Sequence, residues 1–295
     1  MKLLNSFFDT HFPSVDCIQW EIEKNLVIDI DMLRLDQLHP QISGNKGYKL
    51  KYQFQEALQQ RAMSVLSFGG AYSNHLHALA YVGFVFGIKT IGIIRGEQVH
   101  NQTLEDCHRW GMEIHFVDRM RYRKKTQEGF LHAIHQMFPD SYLVSEGGGG
   151  ELGIKGCEEI LLHREKKYDH VFCSVGTGTT LAGLIRSVPQ DVTIHGMVVL
   201  KNGNYLQDEI AKWVSTENWI LHHDYHFNGF AKISENLLNF MQQFQMKTGI
   251  ELDRVYTAKM MFGILDLIKQ GKIDPNSNLL AIHTGGIQGN RSLHV

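Results

Sequence analysis

Short, unbroken apolar runs that end in glycine, serine or threonine, and then turn helical, recur along this chain. Ser-Val-Leu-Ser-Phe (64–68) runs into Gly69-Gly70 and Ser73-Asn74-His75, followed by the helical pattern LHALAYVGFVFG (76–87). TIGIIRG (90–96) and EIHFVD (113–118) are further apolar runs separated by polar helical sequence. HVFCSV (170–175) leads into Gly176-Thr177-Gly178-Thr179-Thr180 and the helical LAGLIRSV, TIHGMVVL (193–200) follows, and NLLAIHTGG (278–286) comes last. Strands that are continuously apolar rather than alternating fit a sheet covered on both faces. Strands spaced by helices predict parallel βαβ units. The expected fold class is therefore α/β. In such sheets ligands gather beyond the carboxyl ends of the strands, where loops meet helix N-termini. All of these glycine-rich turns fall at that end, so they are expected to share one pocket.

A chain of 295 residues suits one large α/β domain or two smaller ones, and a hydrophobic content of 43% supplies a proper core. The formal net charge of −2 announces no basic face, so no nucleic-acid partner is expected. The basic run Arg119–Lys125 reads as a solvated loop or helix end rather than an anion site. No apolar stretch is long enough to span a bilayer, and the amino-terminal MKLLNSFFDTHFPSVD lacks a signal-peptide core, so neither membrane nor secretion is expected. Cys17, Cys107, Cys157 and Cys173 form no CxxC pair, which predicts free thiols in a reducing cytoplasm.

Three turns carry chemistry. In SVGTGTTLAGL (174–184) a strand, alternating Gly and Thr, and a helix opening on small residues make a cradle of unsatisfied N–H groups for an anion. Leu181 stands where a dinucleotide fingerprint needs its third glycine, and no Gly-Lys-Ser/Thr follows, so a single phosphomonoester fits better than a nucleotide. The alternative is a plain tight turn. Ser73, Asn74 and His75 are either a helix cap or hydrogen-bonding groups aimed at a ligand. His283-Thr284-Gly285-Gly286 places a hydroxyl and flexible backbone at the end of the last strand. A fourth feature is Lys46, which follows Gly44-Asn45 at the entry of a helical pattern as a placed amine would. An amine together with one phosphate site is what pyridoxal 5'-phosphate requires.

The blocks SGNKGYKLKY, GGAYSNHLHALA, EGGGGELGIKGCEE, SVGTGTTLAGL, LDRVYTAKMMFGIL and IHTGGIQGN occur in that order between Ser43 and Asn290. Together they resemble the 1-aminocyclopropane-1-carboxylate deaminase/D-cysteine desulfhydrase family of tryptophan-synthase-β-like enzymes. The resemblance implies fold type II: two three-layer αβα domains with mostly parallel sheets and pyridoxal phosphate in the cleft between them. It implies a larger cofactor-binding domain over 1–48 and 160–295, a smaller domain over 49–159, and a homodimer. It assigns Lys46 as the Schiff-base lysine, with Lys49 near the phosphate and Asn74 at the cofactor's phenolic oxygen. Ser73 becomes a proton-handling or substrate residue with His75 beside it, Thr177, Gly178, Thr179 and Thr180 the phosphate loop, and Tyr256 the tyrosine near the substrate amine. Ring-opening members of the family carry Glu after that tyrosine and Leu in the final His-x-Gly-Gly. This chain has Thr257 and Thr284, a combination that resembles the desulfhydrases. A hydroxyl rather than a carboxylate at the pyridine nitrogen leaves the ring closer to neutral, which suits β-elimination. The expected enzyme is a lyase/deaminase acting on a small amino acid, D-cysteine first and the cyclopropane acid second. A non-catalytic cofactor-binding homologue is the further alternative. Gly47 and Tyr48 stand where Thr-Arg is common in the family.

Histidine is abundant, and LHHDYHF (221–227) has spacing that resembles a zinc site, but a packed loop is the preferred reading and no metal is expected. The pair Met260-Met261 reads as core filling.

Overall fold

A computed structural model describes residues 7–8, 12–24, 26–42, 44–162 and 166–293. The chain divides into two compact units. The body of the first is Lys46–Gly153; the second takes the segment that ends at Asn45 and resumes at Ile154.

The chain enters with two strands, β1 (Val15–Glu23) and β2 (Leu26–Arg34), which pair antiparallel in the second unit. It then builds the first unit, beginning with helix α1 (Lys46–Gln59) and β3 (Ser64–Gly70). Helix α2 (Asn74–Phe86), β4 (Lys89–Arg95), β5 (Glu113–Val117) and β6 (Ser141–Val144) follow. The four strands lie in the order β5-β4-β3-β6, all parallel. Helix α1 buries Leu50, Phe54 and Ala57, a four-then-three spacing that puts them on one face. Helix α2 is capped at its start by Ser73 and closed at its end by Gly87 in the left-handed region (φ 67°). The basic run forms a short helix, Arg119–Tyr122, capped by Asp118, and Lys125 at its far end pairs with Glu146 at 3.1 Å.

Back in the second unit the chain forms β7 (His170–Val175), helix α3 (Thr179–Ser187), β8 (Thr193–Val198) and β9 (Trp219–His222). It ends with helix α4 (Thr257–Lys269) and β10 (Leu279–His283). Its six strands run β1-β2-β10-β7-β8-β9. The β1–β2 pair alone is antiparallel; every other neighbour is parallel. Strands β7, β8 and β10 are buried along nearly their whole length, whereas β1 alternates. An outer strand with one covered face needs only every second residue apolar. Met260 and Met261 are both fully buried in the core of this unit with Ile30, Phe172 and Phe244. Among the described residues no helix is long and apolar enough to cross a membrane.

Three histidines cross the sheet of the second unit. His170 Nδ1 lies 3.0 Å from His195 Nε2, and His195 Nδ1 lies 2.9 Å from His222 Nε2. His195 is buried and stacks on Phe172 with ring centroids 4.5 Å apart. His222, from the LHHDYHF segment, is thus hydrogen-bonded to another histidine. Among the described residues no group of three or more His, Cys, Asp or Glu is placed to hold a metal. Burial first, then the neighbouring imidazoles, pushes the His195 pKa down to about 3. In the unfolded chain the same ring titrates near 6.5. Its contribution to stability is therefore complete above pH 6.5 and is lost as pH falls from there towards 3. Between pH 7 and 5 the loss comes to ~2 kcal/mol for this one residue. Urea unfolding of wild type and His195→Gln at the two pH values measures it. The variant is expected to be weaker at pH 7 but to show a slope shallower by about one proton; identical slopes would refute the assignment.

Candidate active site

In the first unit, Lys46 opens α1 and Lys49 follows one turn on; Lys49 is buried and Lys46 half-buried. The glycines at 147–150 pass close to this turn. A Cβ built on Gly148, whose φ is +74°, would stand 2.9 Å from the Lys49 Cβ and 3.5 Å from His75 Nδ1. A side chain here would crowd both residues, so the position suits glycine.

Ser73 caps α2 by accepting the Leu76 N–H at 3.2 Å, and Asn74 and His75 begin the helix. Of the alternatives posed by the sequence, the helix cap is formed, and Ser73 forms it. His75 is 2% exposed, and burial, then the charges of Lys46 and Lys49, lowers its pKa to about 3. It is therefore neutral at physiological pH. Its tautomer follows from its partner. The Ser67 hydroxyl donates to the Val144 carbonyl at 2.8 Å, so the His75 Nε2 atom, 2.8 Å from Ser67 Oγ, must carry the proton. Nδ1 is left as a bare acceptor, buried and without a partner. Asn74 Oδ1, one residue earlier, is likewise buried and unpartnered. Two orphaned polar atoms side by side at a helix start mark a place built for a polar ligand.

In the second unit, β7 ends in Gly176-Thr177-Gly178 and α3 begins at Thr179 with no side-chain cap. Thr179 and Thr180 are buried, and Gly178 turns at φ +82°. An uncapped, buried helix start with glycine before it leaves N–H donors for an anion. The Thr177 and Thr179 hydroxyls lie 3.2 Å apart. Tyr256 closes on this loop: a Cβ on Gly176 would meet its ring at 3.2 Å. Asn45, the residue before Lys46, donates from Nδ2 to Thr180 Oγ1 at 2.7 Å and from its backbone to the Thr284 carbonyl at 3.3 Å. The backbone leading into the lysine is thus fastened to the glycine–threonine loop and to the last strand.

Thr257 opens α4 directly after Tyr256. It is fully buried; its Oγ1 accepts the Asp253 N–H at 2.7 Å and donates to the Asp253 carbonyl at 3.3 Å. Asp253 reciprocates, its carboxylate accepting the N–H groups of Val255, Tyr256 and Thr257 at 3.1, 2.7 and 2.9 Å. Burial raises the Asp253 carboxyl's pKa against the pull of these donors. Asn290 pins the same segment, donating to Glu251 Oε1 and the Leu252 carbonyl and accepting the Arg254 N–H. Asp253 and Asn290 thus hold Tyr256 in place. Ser67 and Asp253 are the residues that sequence reasoning passes over. The available signal was a hydroxyl inside a buried strand and an acidic residue four before a helical threonine.

The whole span from 22 to 285 matches the family model for pyridoxal-phosphate dependent enzymes. The chain belongs to this family. It lies within the group of 1-aminocyclopropane-1-carboxylate deaminase and D-cysteine desulfhydrase. It is 32% identical over 272 residues to a putative 1-aminocyclopropane-1-carboxylate deaminase of Thermotoga maritima, with 84% of this chain and 85% of that one covered. It is 26% identical to the bifunctional, mitochondrial D-cysteine desulfhydrase/1-aminocyclopropane-1-carboxylate deaminase of Arabidopsis thaliana, covering 84% and 70%. A crystal structure of a 1-aminocyclopropane-1-carboxylate deaminase homologue superposes with a TM-score of 0.79 at 26% identity, covering 98% of this chain and 97% of that one. The fold is that of type II pyridoxal-phosphate enzymes, and the protein is an enzyme of the lyase/deaminase type with pyridoxal phosphate as cofactor. The residues present fit that cofactor. Within the second unit the uncapped start of α3 suits a phosphate, and within the first the orphaned Asn74 and His75 atoms suit a polar ligand.

Proposed function

We propose that the protein is a D-cysteine desulfhydrase, which converts D-cysteine and water into pyruvate, ammonia and hydrogen sulfide. The observation that carries this reading is the occupant of position 257. It is a threonine whose hydroxyl is committed to Asp253, so this position brings no carboxylate to protonate a pyridine nitrogen. Pyridoxal phosphate, when bound, acts as an electron sink for the α-carbon of an amino acid.

The chain's own residues have these roles in the proposal. Lys46 would hold the cofactor through Nζ, and the same amine would take the substrate's α-proton. Lys49 balances the phosphate charge, and Thr177, Gly178, Thr179 and Thr180 hold the phosphate through backbone N–H groups and hydroxyls. Asn74 and neutral His75 orient the ring, and Ser73 contacts the substrate. Tyr256 stands near the substrate amine. Thr284 supplies polar backbone at the end of β10, where its carbonyl already fastens Asn45. The enzyme works in the cytoplasm as a homodimer in this reading.

The test compares products. Pyruvate and sulfide from D-cysteine are expected at a kcat/KM at least about tenfold above that for α-ketobutyrate from the cyclopropane acid, a preference of ~1.4 kcal/mol. If α-ketobutyrate alone appears, the argument from position 257 is wrong. Bound cofactor without product from either substrate would leave a binding protein.

A further inference from the structure

Lys259 is an oddity in the core of the second unit. It lies on α4 one turn after Tyr256, and its side chain is fully buried. Its ammonium donates to the His226 carbonyl at 2.9 Å and to the Gly229 carbonyl at 2.8 Å. Each of these carbonyls already accepts a backbone N–H. Gly229 donates to His226 at 3.0 Å, and Lys232 donates to Gly229 at 3.2 Å. The lysine therefore satisfies no orphan. It ties together two consecutive turns that are each already closed.

The segment it ties is strained. Phe227, Asn228 and Ala231 hold φ values of 50°, 65° and 54°, and Gly229 holds 124°. Non-glycine residues in that region cost energy and persist only where the surroundings hold them. Phe230 lies within the second of these turns, 229–232. It is 47% exposed, and its ring meets Tyr256 edge-on with centroids 5.9 Å apart.

We propose that Lys259 is a positioning residue, a staple that holds the strained 226–231 segment so that Phe230 fixes the ring of Tyr256. The inference rests on the reading of Tyr256 as a substrate-side residue. The cost of the arrangement supports it. Burial lowers the Lys259 pKa to about 8, partly offset by the Asp253 charge, so folding disfavours the ammonium relative to water. A charge kept in the core at that cost, where both acceptors have other donors, is kept for geometry rather than for stability.

The experiment uses the full chain with bound pyridoxal phosphate, as wild type and as Lys259→Met. Hydrogen–deuterium exchange over 226–232 should quicken about ten- to a hundredfold in the variant, with exchange elsewhere unchanged. The urea midpoint should stay level or rise. Turnover should fall about tenfold in kcat with KM within about twofold, and the yellow of the bound cofactor should remain. Equal exchange over 226–232 overturns the proposal, and so does faster exchange throughout the chain with a lower midpoint, which marks a merely structural lysine. Wild type alone gives a second check, because the Gly229 and Lys232 amides should exchange more slowly than those of the 274–277 turn. Unprotected amides there overturn the staple even if the variant fails to fold. Should no amino acid be turned over, the exchange measurements still decide the staple, while the function proposed above falls by itself.

Discussion

Lys46→Ala is expected to lose the yellow of lysine-bound pyridoxal phosphate and to lower turnover by about 10⁴-fold or more, with the fold intact. The size follows from two losses at once: the covalent anchor and a general base that alone contributes ~10²–10⁴. The fold should survive because Lys46 is half-buried and opens α1, while the helix is held by Leu50, Phe54 and Ala57. Alanine is also the best helix former, so the first turn is not weakened. Absorption spectra, borohydride trapping and peptide mapping give the readout. In wild type the reduced cofactor should map to Lys46. If it is found on Lys49, or if Lys46→Ala still traps it, the assignment of the anchoring amine is wrong.

Gly44→Ala should damage the protein more than any other single methyl group in the turn before the lysine. Gly44 has φ +75°, and a Cβ there would fall 1.7 Å from the Thr284 carbonyl oxygen and 2.7 Å from the Gly285 nitrogen. Both are backbone atoms at the end of β10, so no side chain can swing aside. Left-handed strain and overpacking together put the cost at about 2–5 kcal/mol. The shift would also pull Asn45 from Thr284 and Thr180, so cofactor affinity should fall even where the fold survives in the cold. Gly87→Ala is the control. Its φ of +67° is as unfavourable, but nothing lies within 4 Å of its added methyl. Urea midpoints and cofactor titrations of the two variants should separate sharply. If Gly44→Ala is as stable as Gly87→Ala, the close approach has been misjudged.

These two residues show how far the sequence could be read. The helix entry behind Gly-Asn was legible at Lys46, and so was the strand, glycine–threonine turn and helix over 170–187. Both signals are local. The reason for the glycine was not legible, because its neighbour, the Thr284 carbonyl, lies some 240 residues away in the chain. The parallel strands were visible as apolar runs since both their faces are covered. The pair β1 and β2 was not, because β1 alternates and polar residues such as Asp29 and Asp31 interrupt β2. Thr257 was seen as a site residue from its place in a motif. What the motif does not convey is that the Thr257 hydroxyl bonds to Asp253, whose capping role depends on a turn geometry that periodicity does not encode. Lys259 looked like any helical lysine, since the carbonyls that hold it belong to a loop some 30 residues earlier.

The row of imidazoles in the second sheet has a logical property of its own. Each neutral ring has one proton for two nitrogens, so the donor at one link decides which nitrogen is left to serve the next. If His170 donates to His195, then His195 must donate to His222; if His222 donates, the whole row runs the other way. The three rings hold one binary digit between them rather than three. A group that fixes the proton at either end, on His170 or on His222, writes that digit across three strands with no backbone motion.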